Sequence, residues 1–184
     1  MNNKNLKIEI EKFKSSGKRY GVIKNWHQPT PTIDEFRDIV NIERNGVVHL
    51  NKDNTTKDID FFLNECIKVY PNIKYDLYVI DSPSSRNSAP DNPGTTLHAD
   101  PYPIIHWQCR GATLWRVGEN AINKSKVPTG TGGYFWDSEW LSDPESFILE
   151  PGDVIWFENG LWHETENLTE KYSVVFDVTR GEKK

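Results

Sequence analysis

The sequence predicts a mainly β protein with N-terminal helices: an antiparallel double sheet or barrel with helices covering one face. Three observations predict it. From Lys74 onward, short alternating apolar runs are separated by turn signals such as Arg110-Gly111 and Pro151-Gly152, the pattern of a sandwich or barrel. Before them lie stretches with helical periodicity. The chain has 184 residues, 36% of them hydrophobic and 12% aromatic, enough for one packed core and too apolar for a disordered protein.

Taken in order, the N-terminal run MNNKNLKIEIEKFK mixes charged and apolar residues without a continuous apolar stretch, so it predicts neither a signal peptide nor a membrane anchor. YGVIK and VVHL read as short strands. Between them, TIDEFRDIVNIERNG reads as a helix. Thr32 and Glu35 form its capping box, Ile33, Phe36, Ile39 and Val40 its apolar face, and Asn45-Gly46 its stop. TKDIDFFLNECIKVY predicts another helix, with Ile59, Phe62, Leu63, Cys66, Ile67 and Tyr70 on one side. The strand runs then follow: KYDLYVI, TTLHA, IIHWQC, ATLWRV, SFILE, DVIWF, LWHET and YSVVFDV. The segment NAINKSKVPTGTGGYFWDSEWLSDPE is long for a hairpin connection and carries Tyr134, Phe135, Trp136 and Trp140, which suit a pinned insertion or a lid. The expected division is an N-terminal extension over 1–73 packed on a core over 74–184, in a single domain.

The two cysteines, Cys66 and Cys109, lie in apolar runs without metal-ligand spacing and are expected as buried thiols. A net charge of −5 disfavours nucleic acid as a partner. The expected setting is a soluble, cytoplasmic protein.

The chemistry is concentrated in TTLHADPYP. His98 and Asp100 stand at i and i+2, so on a strand they share a face. His-x-Asp alone is a weak signal. It gains weight from LEPGDVIWFENGLWHETEN, where Pro151-Gly152-Asp153 turns into an apolar strand and Asn159-Gly160 makes the hairpin that returns with His163. Two imidazoles and a carboxylate form a facial triad that suits Fe(II) and leaves room for an oxo-acid and oxygen. A closed zinc site needs a fourth protein ligand, and no cysteine is placed to supply it. His106 shares parity with Gln108 and is read as a core histidine or a substrate-orienting one. His27 and His49 are assigned to structure, and Glu164 to the face opposite His163.

TTLHAD, IIHWQCRGATLW, LEPGDVIWFENGLWHETEN and YSVVFDV together resemble the Fe(II)- and 2-oxoglutarate-dependent oxygenases of the double-stranded β-helix (cupin, jelly-roll) fold, and within them the Jumonji-C and cupin-like hydroxylases. The resemblance covers roughly Thr95 to Val178. It implies His98, Asp100 and His163 as iron ligands and catalytic centre, 2-oxoglutarate as cosubstrate, molecular oxygen as co-reactant, and a small-molecule or protein substrate hydroxylated at a C–H bond. Thr95 matches a position that places a hydroxyl against the distal carboxylate of 2-oxoglutarate. Thr113 stands where the Jumonji-C pattern has a lysine for that carboxylate. Lys171 with Ser173 resembles the basic-x-Ser/Thr arrangement that other members carry on the last strand, with Arg110 and Arg180 as alternatives. A cupin metalloenzyme that does not use 2-oxoglutarate, and a catalytically silent cupin-like binding module, are the rival readings.

Overall fold

The computed structural model describes residues 4–28, 30–32, 34–35, 46–50, 54–82, 97–121 and 141–179. Helix α1 (Leu6–Ser15) opens the chain, with the Asn5 side chain accepting from the Ile8 N–H. Charged residues alternate with Ile8 and Ile10 in the sequence and mask the periodicity. The structure resolves it: Leu6 and Ile10 are buried and Phe13 packs beside them, while Ile8 faces solvent. Helix α2 (Lys57–Val69) is capped by Thr56 and buries Ile59, Phe62, Leu63 and Cys66. Ile67, expected on that face, is instead 36% exposed, because the buried stripe passes through Glu65 and Cys66. The capping box at Thr32 forms, its hydroxyl accepting the Glu35 N–H at 3.2 Å and the Thr32 N–H donating back to the Glu35 carboxylate at 2.9 Å. Ile33, Phe36, Ile39, Val40 and Asn45 lie outside the described residues, as do Thr95, Arg180, Tyr134, Phe135, Trp136 and Trp140.

The strands are β1 (Tyr20–Ile23), β2 (Gly46–His49), β3 (Lys74–Ser82), β4 (His98–Ala99), β5 (Ile104–Arg110), β6 (Thr113–Gly118), β7 (Asn120–Ala121), β8 (Leu141–Ser142), β9 (Glu145–Leu149), β10 (Val154–Phe157), β11 (Trp162–Asn167) and β12 (Lys171–Thr179). They form an antiparallel six-stranded sheet, β1-β10-β5-β12-β3-β2, and a four-stranded sheet, β4-β11-β6-β9, while β7 pairs with β8. This is the jelly-roll architecture, with β1 and β2 completing the edges of the larger sheet.

Alternation along the strands divides the core in two. Leu77, Val79, Trp107, Trp156, Val174 and Phe176 on the outer face of the larger sheet pack with the buried residues of α1 and α2. On its inner face Ile104, Ile155, Phe157 and Val175 meet Trp115, Val117 and Leu149 of the smaller sheet. Cys66 and Cys109 are buried free thiols. No helix among the described residues is long and apolar enough to cross a membrane.

Two turns fix the ends of the sandwich. Gly111, between β5 and β6, has φ +70°, and a Cβ there would lie 2.1 Å from the Glu170 carbonyl oxygen, so this turn requires glycine. The Ala112 N–H donates to the Thr169 hydroxyl at 2.8 Å, and the Leu168 N–H to the Ala112 carbonyl at 2.9 Å. The β5–β6 turn is therefore tied to the β11–β12 turn, immediately before Lys171. At the other end the Gly160 N–H donates to the Asp100 carbonyl at 2.7 Å, which ties the β10–β11 hairpin to the segment after β4.

Candidate active site

His98 and His163 face each other in register across the β4–β11 ladder, with ring centroids 4.2 Å apart. Asp100 reaches both: its Oδ2 lies 3.6 Å from His98 Nε2 and 3.4 Å from His163 Nε2. One ligand atom from each of the three residues lies within 4.8 Å of the others. The His163 Nδ1 sits 3.1 Å from the Leu161 carbonyl. That carbonyl can only accept, so Nδ1 carries the hydrogen and the lone pair is on Nε2, as metal-ligating histidines require. Asp100 Oδ2 is buried without a hydrogen bond. Burial pushes the His163 value down to about 3, and His98 beside it acts in the same direction. Burial raises Asp100, and His98 opposes that rise. Such a donor set, with a buried carboxylate oxygen that has no hydrogen bond, fits a divalent cation with open positions.

The triad opens into a cavity between the sheets whose wall also includes Tyr78, His106, Trp115, Phe157, Thr165 and Lys171. Phe157 and Trp115 lie against the His163 ring, at 4.6 and 5.6 Å between centroids, and hold it in place. Lys171 opens β12 opposite Ser82 and is only 3% exposed. Burial, with no compensating charge among the described residues, pushes its ammonium down to about 8. Ser173, two residues on and on the same face, is fully buried with its hydroxyl unpartnered.

Thr113 is buried, and its hydroxyl donates to Gln108 Oε1 at 3.3 Å, so it holds the wall and brings no charge. Arg110 is exposed and 3.6 Å from Glu170, outside the cavity. His49 is exposed and 2.9 Å from Asp76. His27 packs on Phe61. Glu164 turns to the face opposite His163, as alternation requires, but is buried 3.5 Å from Arg116 of β6 rather than solvated. Thr165 and Tyr78 were not singled out from the sequence. Thr165 shares His163's parity, which is signal enough, whereas Tyr78 needed the β3–β12 pairing that places it opposite Val175.

Fold and cavity together define a double-stranded β-helix protein with a His-Asp-His candidate metal centre on its inner wall. The JmjC domain family matches residues 63–183, about two thirds of the chain, and the chain belongs to that family. Among solved structures, the fold is similar to the ribosomal oxygenase YcfD from Escherichia coli in complex with cobalt and succinic acid. There the TM-score is 0.59 at 17% identity, over 95% of this chain and 52% of that one. YcfD in complex with cobalt and 2-oxoglutarate gives 0.55 at 16% identity, with the same coverage of 95% and 52%. The chain thus spans about half the length of these solved proteins. At this identity the likeness is one of fold. None of the curated proteins matches the sequence.

Proposed function

We propose that the protein is an Fe(II)- and 2-oxoglutarate-dependent oxygenase that hydroxylates a C–H bond of a protein side chain or a small molecule. The observation that carries this reading is Lys171, a buried ammonium with no anionic partner among the described residues, in the same cavity as the triad. A buried charge without a partner is costly, and a dicarboxylate spanning from the triad to Lys171 supplies one. The reading gives the missing basic residue at Thr113 a substitute from a different strand of the same cavity wall.

In this reading His98, Asp100 and His163 hold Fe(II), with the Leu161 carbonyl orienting His163 from behind. Lys171 binds the distal carboxylate as a point charge, with Ser173 two residues on along β12 and Thr165 of β11 in the facing sheet as hydroxyl donors. Thr95 is a further hydroxyl assigned to that end. The metal and cosubstrate, when bound, supply the oxygen activation that substrate hydroxylation needs. Trp115 and Phe157 exclude water from the His163 side and hold the ligand set rigid.

The test is an anaerobic titration of metal-free protein with Fe(II) and then 2-oxoglutarate, following the visible charge-transfer band of the chelate. The expected result is a band in the wild type and none in His163→Ala. Iron binding without a band points to a cupin metalloenzyme that uses no 2-oxoglutarate. Absence of iron binding leaves a binding module and overturns the enzyme reading.

A further inference from the structure

Arg19 lies outside the segment that matches the JmjC family, residues 63–183, yet its side chain ends on the hairpin beside the candidate metal centre. The register of β1 explains how. Tyr20 pairs with Phe157 at the end of β10, so the residue before Tyr20 falls beside the residue after Phe157. There the Glu158 N–H donates to the Arg19 carbonyl at 2.8 Å. The guanidinium then reaches over the turn. Its Nη2 donates to the Asn159 carbonyl at 2.6 Å, its Nη1 to Glu119 Oε2 at 2.6 Å, and its Nε stands 3.6 Å from Glu158 Oε2. The planar fork thus fastens the β10–β11 hairpin to the end of β6.

The turn that it grips holds two of the three candidate ligands through the main chain. The Gly160 N–H donates to the Asp100 carbonyl at 2.7 Å, and the Leu161 carbonyl accepts from His163 Nδ1 at 3.1 Å. Three consecutive residues therefore carry the whole linkage: Asn159 is held by Arg19, Gly160 holds Asp100, and Leu161 holds His163. Gly160 sits at φ +76°. Glycine restrains its own backbone least of all residues, so the turn gains its definition from outside. The ion pairs of Arg19 are half-exposed, at 38% for its own side chain and 50% for Glu119, and pairs of that kind add little to stability. What the guanidinium contributes is the location of the turn.

Resting on the reading of His98, Asp100 and His163 as a metal centre, we propose that Arg19 is a positioning residue for that centre. It fixes the turn over residues 159–161, and the turn sets the Asp100 backbone and the His163 ring at the separation a divalent cation needs. The N-terminal extension thereby finishes a site whose three ligands all lie in the family segment.

Titration of the metal-free full chain with Co(II) alone, read from its ligand-field absorption, tests this without turnover. The expected result is that Arg19→Met binds Co(II) about three- to tenfold more weakly than the wild type. That is less than the loss of about ten- to hundredfold for groups that touch a ligand directly, because Arg19 acts through the main chain. Arg19→Lys keeps the charge but cannot fork across Asn159 and Glu119, and loses affinity in the same direction. In the metal-free protein, hydrogen exchange at the Gly160 amide speeds up at least about threefold in Arg19→Met, while the Ala112 amide in the turn at the other end exchanges as before. Ile10→Ala, a cavity in the core beneath α1, serves as a destabilised control and keeps wild-type Co(II) affinity. Unchanged Co(II) affinity or unchanged Gly160 exchange in Arg19→Met, or an equal affinity loss in Ile10→Ala, overturns this inference alone. Absence of Co(II) binding in the wild type, or binding indifferent to His163→Ala, overturns the metal-centre reading and this inference with it.

Discussion

Replacing Lys171 by methionine removes a charge while keeping most of the volume, and the structure gives opposite signs for its effects on stability and on binding. The ammonium titrates near 10.4 in an unfolded chain and at about 8 in its buried position. At 1.36 kcal/mol for each tenfold change, carrying that proton inside costs the fold about 3 kcal/mol at neutral pH. The folded value lies below the unfolded one, so the penalty is fully present below about pH 8 and fades as pH rises toward 10. Lys171→Met should therefore raise the unfolding free energy at pH 7 by about 1–3 kcal/mol, read from urea denaturation of the metal-free protein, with the gap narrowing between about pH 8 and 10. The same variant should lose 2-oxoglutarate affinity by about tenfold to 150-fold, the worth of one charge-assisted hydrogen bond, measured by anaerobic titration. A variant that is less stable than the wild type, or that binds 2-oxoglutarate equally well, refutes the argument. The first outcome means that the ammonium has a stabilising partner, and the second that it does not face the ligand.

Two further outcomes are expected. Affinity for 2-oxoglutarate should be level below about pH 8 and fall by up to about tenfold per pH unit above it, because the carboxylate binds the ammonium and not the neutral amine; titrations from pH 6.5 to 9.5 check this, and a flat profile counts against Lys171. Gly111→Ala forces a side chain into φ +70° and within 2.1 Å of the Glu170 carbonyl, so it should destabilise the fold by about 2–4 kcal/mol. Urea denaturation at wild-type stability would show that the turn yields.

Most strands of the two sheets were legible because turn residues bound short runs that either alternate or, like VIWF of β10, are apolar throughout. His98, Asp100 and His163 converge through the parity of HAD and the Asn159-Gly160 hairpin, both visible in the sequence. Helix α1 was not legible, because Lys7, Glu9 and Glu11 interleave with Ile8 and Ile10 like an alternating strand. Only Leu6, Ile10 and Phe13 carry its helical stripe. The inward aim of Lys171 came from its resemblance to a basic-x-Ser/Thr strand and its parity with Ser173, and the local polarity argued against it. In the sequence it ends the polar run NLTEK, and only the lock between the Gly111 and Thr169 turns shows that β12 begins there, at the cavity wall. The burial of Glu164 depended on Arg116 lying opposite it in register on β6, a pairing that needs the sheet order.

The polar groups of the cavity are divided between the two sheets. His98 and His163 belong to the smaller sheet, Lys171 and His106 to the larger one, and among the described residues an apolar cluster that includes Ile155, Phe157, Val175, Trp115 and Leu149 sets the gap between them. A molecule gripped at both ends becomes a strut across the sandwich, and the apolar layer acts as the caliper that decides how long it is. Trimming or enlarging Val175 or Ile155 would then retune the chain length of the acid accepted without altering one hydrogen bond to it. Occupancy would also fasten one sheet to the other, slowing hydrogen exchange in β11 and β12 together.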